Sequence, residues 1–146
     1  MQTGAGSNTL TTISSYDAAD RLQTANLNSD TSITSYGYDA NSSLISESAT
    51  SAGSYVISYT YDTRNRLTNW QKTGTNPGIA AFSYERANRL TSLAHLSSGG
   101  STIFGVSYSL DKLGNRIAAS ENVSGTTQSL SYSYDELSRL TADTNS

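Results

Sequence analysis

A short motif, repeated along the chain in degraded copies, constrains the fold more than any other feature of this sequence. The clearest copy is residues 59–67, in which aromatic side chains alternate along the chain before an acid, Asp62. Three residues later comes Asn65, a residue type that tolerates positive φ, followed by Arg66 and Leu67. This order is typical of a strand, a tight turn and the start of a returning strand. The motif therefore predicts a β-hairpin.

Six copies become visible when the sequence is aligned on the acid. They are Tyr16-Asp17, Tyr38-Asp39, Tyr61-Asp62, Tyr84-Glu85, Leu110-Asp111 and Tyr134-Asp135, with spacings of 22, 23, 23, 26 and 24 residues. Such a period holds two strands and two short loops, and is too short for two long helices or a four-stranded propeller blade. We predict an all-β chain of about six stacked hairpins, a single array over residues 1–146 that forms a curled antiparallel β-strip.

The strand that precedes each acid has two unlike faces. Counting back by twos places all ten tyrosines on one face, together with Phe82, Phe104 and Val106, whereas the other face carries mainly Ser, Thr, Ala and Gly. These ascending strands are predicted at Thr9–Asp17, Ser32–Asp39, Ser54–Asp62, Ile79–Glu85, Ile103–Asp111 and Gln128–Asp135. We therefore expect one aromatic face and one flat face of small residues.

The turns after the acids have their own chemistry. The acid can accept hydrogen bonds from backbone amides ahead of it, and the residue three places later suits a left-handed conformation. We expect exposed acid and arginine side chains there, forming a ladder that sets strand register rather than supplying stability. The fifth copy differs, because Arg116 comes one place later than in the other copies. The repeat-motif residues are Tyr16, Asp17, Arg21, Tyr38, Asp39, Tyr61, Asp62, Arg66, Tyr84, Glu85, Arg89, Asp111, Gly114, Arg116, Tyr134, Asp135 and Arg139.

Composition excludes several function classes. The net charge of -3 with nine scattered Lys and Arg leaves no basic patch for nucleic acid, and no stretch is long enough to be a membrane span. With no Cys and His95 as the one histidine, neither a catalytic triad nor a zinc site is predicted. The acids lie one per turn rather than in clusters, which excludes calcium loops and paired-carboxylate sites. We predict no enzyme activity, no cofactor and no metal, and interpret His95 as a surface or packing residue.

The repeated Tyr-Asp-x-x-(Gly/Asn/Ser)-Arg-Leu unit resembles the RHS or YD repeat of bacterial RHS toxins, insecticidal toxin-complex shell subunits, wall-associated bacterial proteins and the teneurins. Residues 61–67 and 134–140 match closely, and residues 111–116 resemble the Asp-x-x-Gly-Asn-Arg variant. The resemblance implies a long β-strip that spirals into a hollow shell, and an extracellular or cell-surface location. No stretch resembles the conserved core motif of the family, its autoproteolytic acids or a toxin domain, and Met1 is followed by no apolar segment typical of a signal peptide.

Two functions follow from these features. The first is a structural strip that joins other copies, or a longer parent chain, through open strand edges and the aromatic face, because a strip of this size cannot cover its own tyrosines. The alternative is a carbohydrate or cell-surface binding module, in which Tyr59 and Tyr108 are the candidate glycan contacts. Trp70 is interpreted as a packing residue rather than a sugar platform.

Overall fold

The fold consists of antiparallel strands joined in sequence. The computed structural model describes residues 12–27, 32–50 and 53–145. Its strands are β1 (Thr12–Tyr16), β2 (Leu22–Leu27), β3 (Ile33–Tyr38), β4 (Leu44–Thr50), β5 (Tyr55–Tyr61), β6 (Leu67–Gly74), β7 (Gly78–Tyr84), β8 (Leu90–Ser97), β9 (Thr102–Leu110), β10 (Arg116–Val123), β11 (Thr126–Tyr134) and β12 (Leu140–Asn145). From β1 to β4 and again from β6 to β12, each strand pairs with the next strand in sequence. The all-β fold of stacked hairpins predicted from the motif is therefore confirmed.

The observed strands match the predicted ones within about two residues, the usual scatter of strand ends. The predicted first strand begins at Thr9, and residues 9–11 lie outside the described residues. In the part of the chain that the structure describes, no helix is long and apolar enough to cross a bilayer.

The chain divides into two compact units, Met1–Ile57 and Ser58–Ser146, and the boundary falls inside β5. In the first unit, β1 pairs with β2, β2 with β3 and β3 with β4. In the second unit, paired neighbours run from β6 to β12.

Strand pairing in the second unit separates large from small side chains. Tyr108 lies opposite Ala119, which lies opposite Leu130, so one row alternates large, small and large residues. One residue along, Ser107 lies opposite Ser120. Exposure follows the same alternation along β9 and β11, where the tyrosines are half-buried and the serines between them are exposed. The sequence predicted this division into an aromatic face and a small-residue face.

Burial in this sheet is slight, and it comes from neighbouring strands rather than from a second layer. The buried apolar side chains among the described residues are Ala80, Val106 and Ala119, which are 3, 6 and 4% exposed. Each is small or medium-sized and lies opposite a larger side chain, as Ala80 does opposite both Trp70 and His95. Trp70 and His95 also contact each other, with ring centroids 5.4 Å apart. Both residues are thus packing residues of the aromatic face.

Candidate functional site

The hairpin turns that follow the acids carry the most regular polar chemistry of the chain. In the third turn, the backbone amide of Asp62 donates to the carbonyl of Arg66 (2.9 Å), and that of Asn65 donates to the carbonyl of Asp62 (3.0 Å). The Asp62 Oδ1 atom accepts the amides of Arg64 (2.8 Å) and Arg66 (3.0 Å). One carboxylate therefore satisfies the amides that the turn leaves without strand partners.

The residue three places after each acid has a left-handed backbone. Its φ is 59° in Asn65 and 99° in Gly114, and the same region is occupied in every copy. The six residues are Asp20, Ser42, Asn65, Asn88, Gly114 and Ser138. The prediction of short turns that end in a left-handed residue is confirmed, because these residue types tolerate positive φ better than most. We call this position the left-handed residue.

The residue four places after each acid, which we call the link residue, holds its own acid. Arg66 Nε donates to Asp62 Oδ2 at 2.7 Å, and Nη2 of the same guanidinium lies 2.6 Å from that oxygen. Arg21 with Asp17 and Arg139 with Asp135 form the same pairs, and Arg89 pairs with Glu85. In the second turn the link residue is Ser43, whose amide donates to Asp39 Oδ1 at 2.8 Å.

The link residue also reaches the next repeat. Arg66 Nη1 donates to the carbonyl oxygen of Glu85 (2.9 Å) and approaches Asn88 Oδ1 (3.5 Å). Its guanidinium carbon lies 4.7 Å from the ring centroid of Tyr84. In the first unit, Arg21 makes the corresponding contacts with the carbonyl of Asp39, the hydroxyl of Ser42 and the ring of Tyr38. Each of these arginines therefore joins two turns and covers the tyrosine of the second.

This double contact corrects the expectation that the arginines are exposed. The side chains of Arg21, Arg66 and Arg89 are 27, 17 and 30% exposed, whereas Arg139 in the last turn is 74% exposed. The difference arises because each of the first three has a following turn to lie against. Exposure of the guanidinium thus reports whether a next repeat is present.

The fifth turn makes the connection with a different residue. Asn115 Nδ2 donates to Asp111 Oδ2 (2.8 Å) and to Ser138 Oγ of the sixth turn (3.1 Å). Arg116, one residue later, lies in β10 with its guanidinium carbon 4.0 Å from the Tyr108 ring centroid. Sequence reasoning followed the arginine and missed Asn115. Counting four residues from the acid, instead of searching for Arg, would have found it.

Gly114 leaves space for the preceding link residue. A Cβ on Gly114 would lie 2.6 Å from Arg89 Nη1. In the second and fourth turns, the side chain of the left-handed residue accepts a hydrogen bond from the preceding arginine. In the fifth turn, the left-handed residue has no side chain, and the Arg89 guanidinium lies in the space beside its backbone. The link from the fourth to the fifth turn therefore depends on glycine both for its φ and for its lack of a side chain.

Four of the turn acids, Asp17, Asp62, Asp111 and Asp135, are held in the charged form. The pKa of Asp62 is lowered from 3.8 to about 2, first by the Arg66 side-chain hydrogen bonds and then by the Arg66 amide. The pKa values of Asp17 and Asp135 are also lowered, chiefly by the amides of their link residues. Burial raises the pKa of Asp111, but hydrogen bonds from Asn115 and nearby amides outweigh it and the net shift is downward. Carboxylates held this way are structural acceptors and poor proton donors near neutral pH.

Each predicted motif tyrosine is the last residue of the strand that precedes its acid. Tyr16, Tyr38, Tyr61, Tyr84 and Tyr134 are the last residues of β1, β3, β5, β7 and β11. The Tyr38 hydroxyl donates to the carbonyl of Leu22 in the preceding repeat at 3.0 Å. Of the two candidate glycan contacts, Tyr59 is half-buried and Tyr108 has Arg116 over one face of its ring.

Among the described residues, no group of three or more His, Cys, Asp or Glu side chains is arranged to hold a metal ion.

No protein-family model and no curated protein matches this sequence. Solved structures of Tc toxin complexes do match. The chain is 24% identical to a chain in the crystal structure of TcdB2-TccC3, with a TM-score of 0.71, and the match covers 90% of this chain. The TcdB2-TccC3-Cdc42 complex gives 24% identity, a TM-score of 0.70 and the same coverage. The Photorhabdus luminescens Tc holotoxin pore with a mutated TccC3 gives 23%, 0.69 and 88%.

The match concerns a small part of each larger chain. This chain covers 7% of the matched TcdB2-TccC3 chain and 6% of the matched holotoxin chain. At such identities the similarity shows the fold. Toxin-complex shell subunits are among the proteins that the Tyr-Asp repeat resembles, and the matched structures are Tc toxin complexes. The RHS/YD-repeat resemblance is therefore confirmed at the level of fold: the antiparallel all-β fold of this chain is similar to that of a segment of the matched Tc toxin chains.

Proposed function

We propose that this chain is a structural, non-catalytic β-strip that serves as one segment of a larger extracellular shell or filament. The whole of residues 1–146 acts in this proposal as one repeat array, built either into an assembly of copies or into a longer parent chain. The matched Tc toxin chains are far longer than this strip, which supports a role as one segment of a wall.

The observation that carries the proposal is the slight burial of apolar side chains among the described residues. Stable domains usually bury one face of a sheet against a second layer, yet the described residues contain only three buried apolar side chains and no fully buried large one. Such slight burial among the described residues is typical of a segment that is completed by neighbours.

Curvature within the second unit supports a wall rather than a flat plate. Two shallow concavities, of about 210 and 340 Å³, open on the small-residue face. Ser107, Ser120 and Ser129 are among the residues that line the first of them. A face of small side chains allows neighbouring strands to bend toward it, because little volume resists the bend. Concavity of one face within this unit fits the inner side of a curved wall.

Electron microscopy and light scattering of the purified chain, from about 1 to 100 µM, test this proposal. We expect particles or filaments much larger than 15.5 kDa, in a concentration-dependent equilibrium with smaller species. A chain that remains a folded monomer over this range contradicts self-assembly. Folding is checked on the same sample by a far-ultraviolet spectrum typical of β-sheet.

The adhesion alternative makes a different prediction. If the tyrosines stack on sugars, a glycan array gives signals that Tyr59→Ala or Tyr108→Ala abolishes while assembly is unchanged. Arg116 already occupies one face of the Tyr108 ring, so a sugar would have to use the other face or displace the guanidinium. The structural role is the better supported of the two.

A further inference from the structure

The first and last turns carry complementary halves of the contact that joins successive repeats. In two of the interior contacts, those of Arg21 and Arg66, an arginine from one repeat meets the carbonyl oxygen of the next acid, the next left-handed residue and the next tyrosine ring. The last described repeat has the arginine, and the first described repeat has the groups that would receive one. From this we propose that Arg139 of one copy docks on the first turn of a second copy, extending the sheet from β12 to β1.

The donor half is Arg139. Its Nε is held by Asp135 Oδ2 at 2.7 Å, the geometry of the interior link residues, so the guanidinium is already oriented. Its side chain is nevertheless 74% exposed, against 17% for Arg66. All six residues of β12 are exposed, including Leu140 at 55%, whereas Leu67 and Leu90 at the equivalent position are half-buried. The donor is thus preorganised and its receiving surface is absent from the described residues.

The acceptor half is the first turn. The Tyr16 ring is 59% exposed, while Tyr38 and Tyr84, which lie under arginines of preceding repeats, are half-buried. The left-handed residue of this turn is Asp20, an acid, whereas the other five copies have Ser, Asn or Gly there. Asp20 is exposed. The first described turn, which has no preceding repeat among the described residues, is therefore the one with a negative charge at the left-handed residue.

The register of the proposed contact follows from the pairs between repeats. Asn69 lies opposite Ala81, and counting back along both strands sets Arg66 opposite Tyr84. The pairs of β2 with β3 and of β10 with β11 set their link residues opposite the next tyrosine in the same way. Extended to two copies, this register sets Arg139 opposite Tyr16 and Ala142 opposite Ile13. The Arg139 guanidinium then donates to the Asp17 carbonyl and the Asp20 carboxylate.

The contact is heterologous, because it joins unlike edges of two copies. Such contacts produce open chains or closed rings depending on the rotation between copies, so one contact serves both a filament and a shell. It also gives each edge strand a partner, which removes the unpaired backbone groups that make exposed edges prone to aggregation. This inference rests on the proposed structural function and names the residues through which copies would join.

A charge exchange tests the contact by sedimentation velocity of the full chain. Arg139→Asp alone and Asp20→Arg alone should each raise the dissociation constant for self-association at least about tenfold, because each places like charges together. A one-to-one mixture of the two variants should recover association, since each edge then meets an opposite charge. Lys112→Asp is the control: it makes the same change in net charge at an exposed position in the fifth turn and should leave association unchanged.

A disulfide trap tests the register, and the cysteine-free sequence makes it free of background. A mixture of Ile13→Cys and Ala142→Cys chains should form a disulfide-linked heterodimer on mild oxidation, because these residues lie directly opposite in the proposed register. Ile13→Cys mixed with Asp143→Cys should not, since Asp143 lies opposite Tyr132 of the aromatic face, whereas Ala142 lies opposite Ser133 of the small-residue face. A wild-type chain that stays monomeric overturns both the assembly proposal and this inference. Assembly that ignores the charge exchange and gives no Ile13–Ala142 disulfide overturns this inference alone.

Discussion

The third and fifth turns make the same connection with different side chains. In the third turn, Arg66 holds Asp62, donates to the backbone of the next turn and lies over Tyr84. In the fifth, Asn115 holds Asp111 and donates to Ser138, without an aromatic contact. The comparison teaches that the position requires a donor that can serve two turns. Asparagine meets this requirement with two hydrogen bonds. Arginine also meets it, and in addition has a longer side chain, a positive charge and a contact with the next tyrosine ring.

Acidification affects both turns at once and should have the largest effect. A carboxylate with a lowered folded-state pKa stabilises the fold above its unfolded pKa, and this stabilisation is lost as pH falls through the folded pKa. Because the pKa of Asp62 is lowered from 3.8 to about 2, its contribution should be complete at neutral pH and decline between these values. Urea unfolding at stepped pH measures the loss. A free energy of unfolding that does not change over this range contradicts the assigned role.

Arg66→Ala should have the largest effect among single substitutions. It removes the partner of Asp62, the bond to the Glu85 carbonyl and the cation over Tyr84, so we expect a loss of about 1–2 kcal/mol in the free energy of unfolding. Nuclear magnetic resonance titration should also show the pKa of Asp62 rising toward 3.8, because the Arg66 side chain is the main cause of its shift.

The matched control for this substitution is Arg64→Ala in the same turn. Arg64 is exposed and donates one side-chain bond, to the carbonyl of Arg86. Its loss should cost about 0–0.5 kcal/mol, as expected of an exposed contact. Equal losses in the two variants would mean that the arginines act through net charge rather than through the link between turns.

Gly114→Ala should cost about 1 kcal/mol, because a φ of 99° is unfavourable for alanine and the new Cβ would displace the Arg89 guanidinium. Asn65→Gly in the third turn is the matched comparison. It should change stability by only a few tenths of a kcal/mol, since asparagine already tolerates a φ of 59°. Urea unfolding measures both. A Gly114→Ala chain as stable as the wild type would show that neither the φ nor the space at this glycine matters.

Asn115→Arg transfers the chemistry of the third turn to the fifth and should have the smallest effect. The register places Asn115 opposite Tyr134, so a new guanidinium could lie over that ring as Arg66 lies over Tyr84. We expect a gain of about 0.5 kcal/mol, whereas Asn115→Ala should lose about 1 kcal/mol. Thermal unfolding of both variants provides the measurement. A gain from Asn115→Ala would contradict a linking role for this side chain.

Much of the fold could be predicted because the repeat is local. Alternating side chains identify strand faces, and an acid followed three residues later by Asn, Ser or Gly identifies each turn. These features depend on residues within a few positions of one another, so they can be predicted without knowing which strands are neighbours in the sheet. The same reasoning interpreted Trp70 and His95 as packing residues, which their ring contact confirms.

The links between turns could not be predicted in the same way. The 17% exposure of Arg66 depends on a turn about twenty residues away, and Asn115 acts as a link although it is not an arginine. The placement of Arg116 over Tyr108 likewise depends on the pairing of β9 with β10. Each of these is a contact between strands or repeats, and its geometry cannot be read from the residue types alone.

The sequence alone determined the period, the hairpins, the division into an aromatic and a small-residue face, and the left-handed position in each turn, because these follow from local backbone preferences and side-chain alternation. Only the tertiary structure decided which side chains join successive repeats and which link residues are covered by a following turn among the described residues. Stacking brings together groups about one repeat apart, and their reach, burial and hydrogen-bond geometry arise only when the strands are in register.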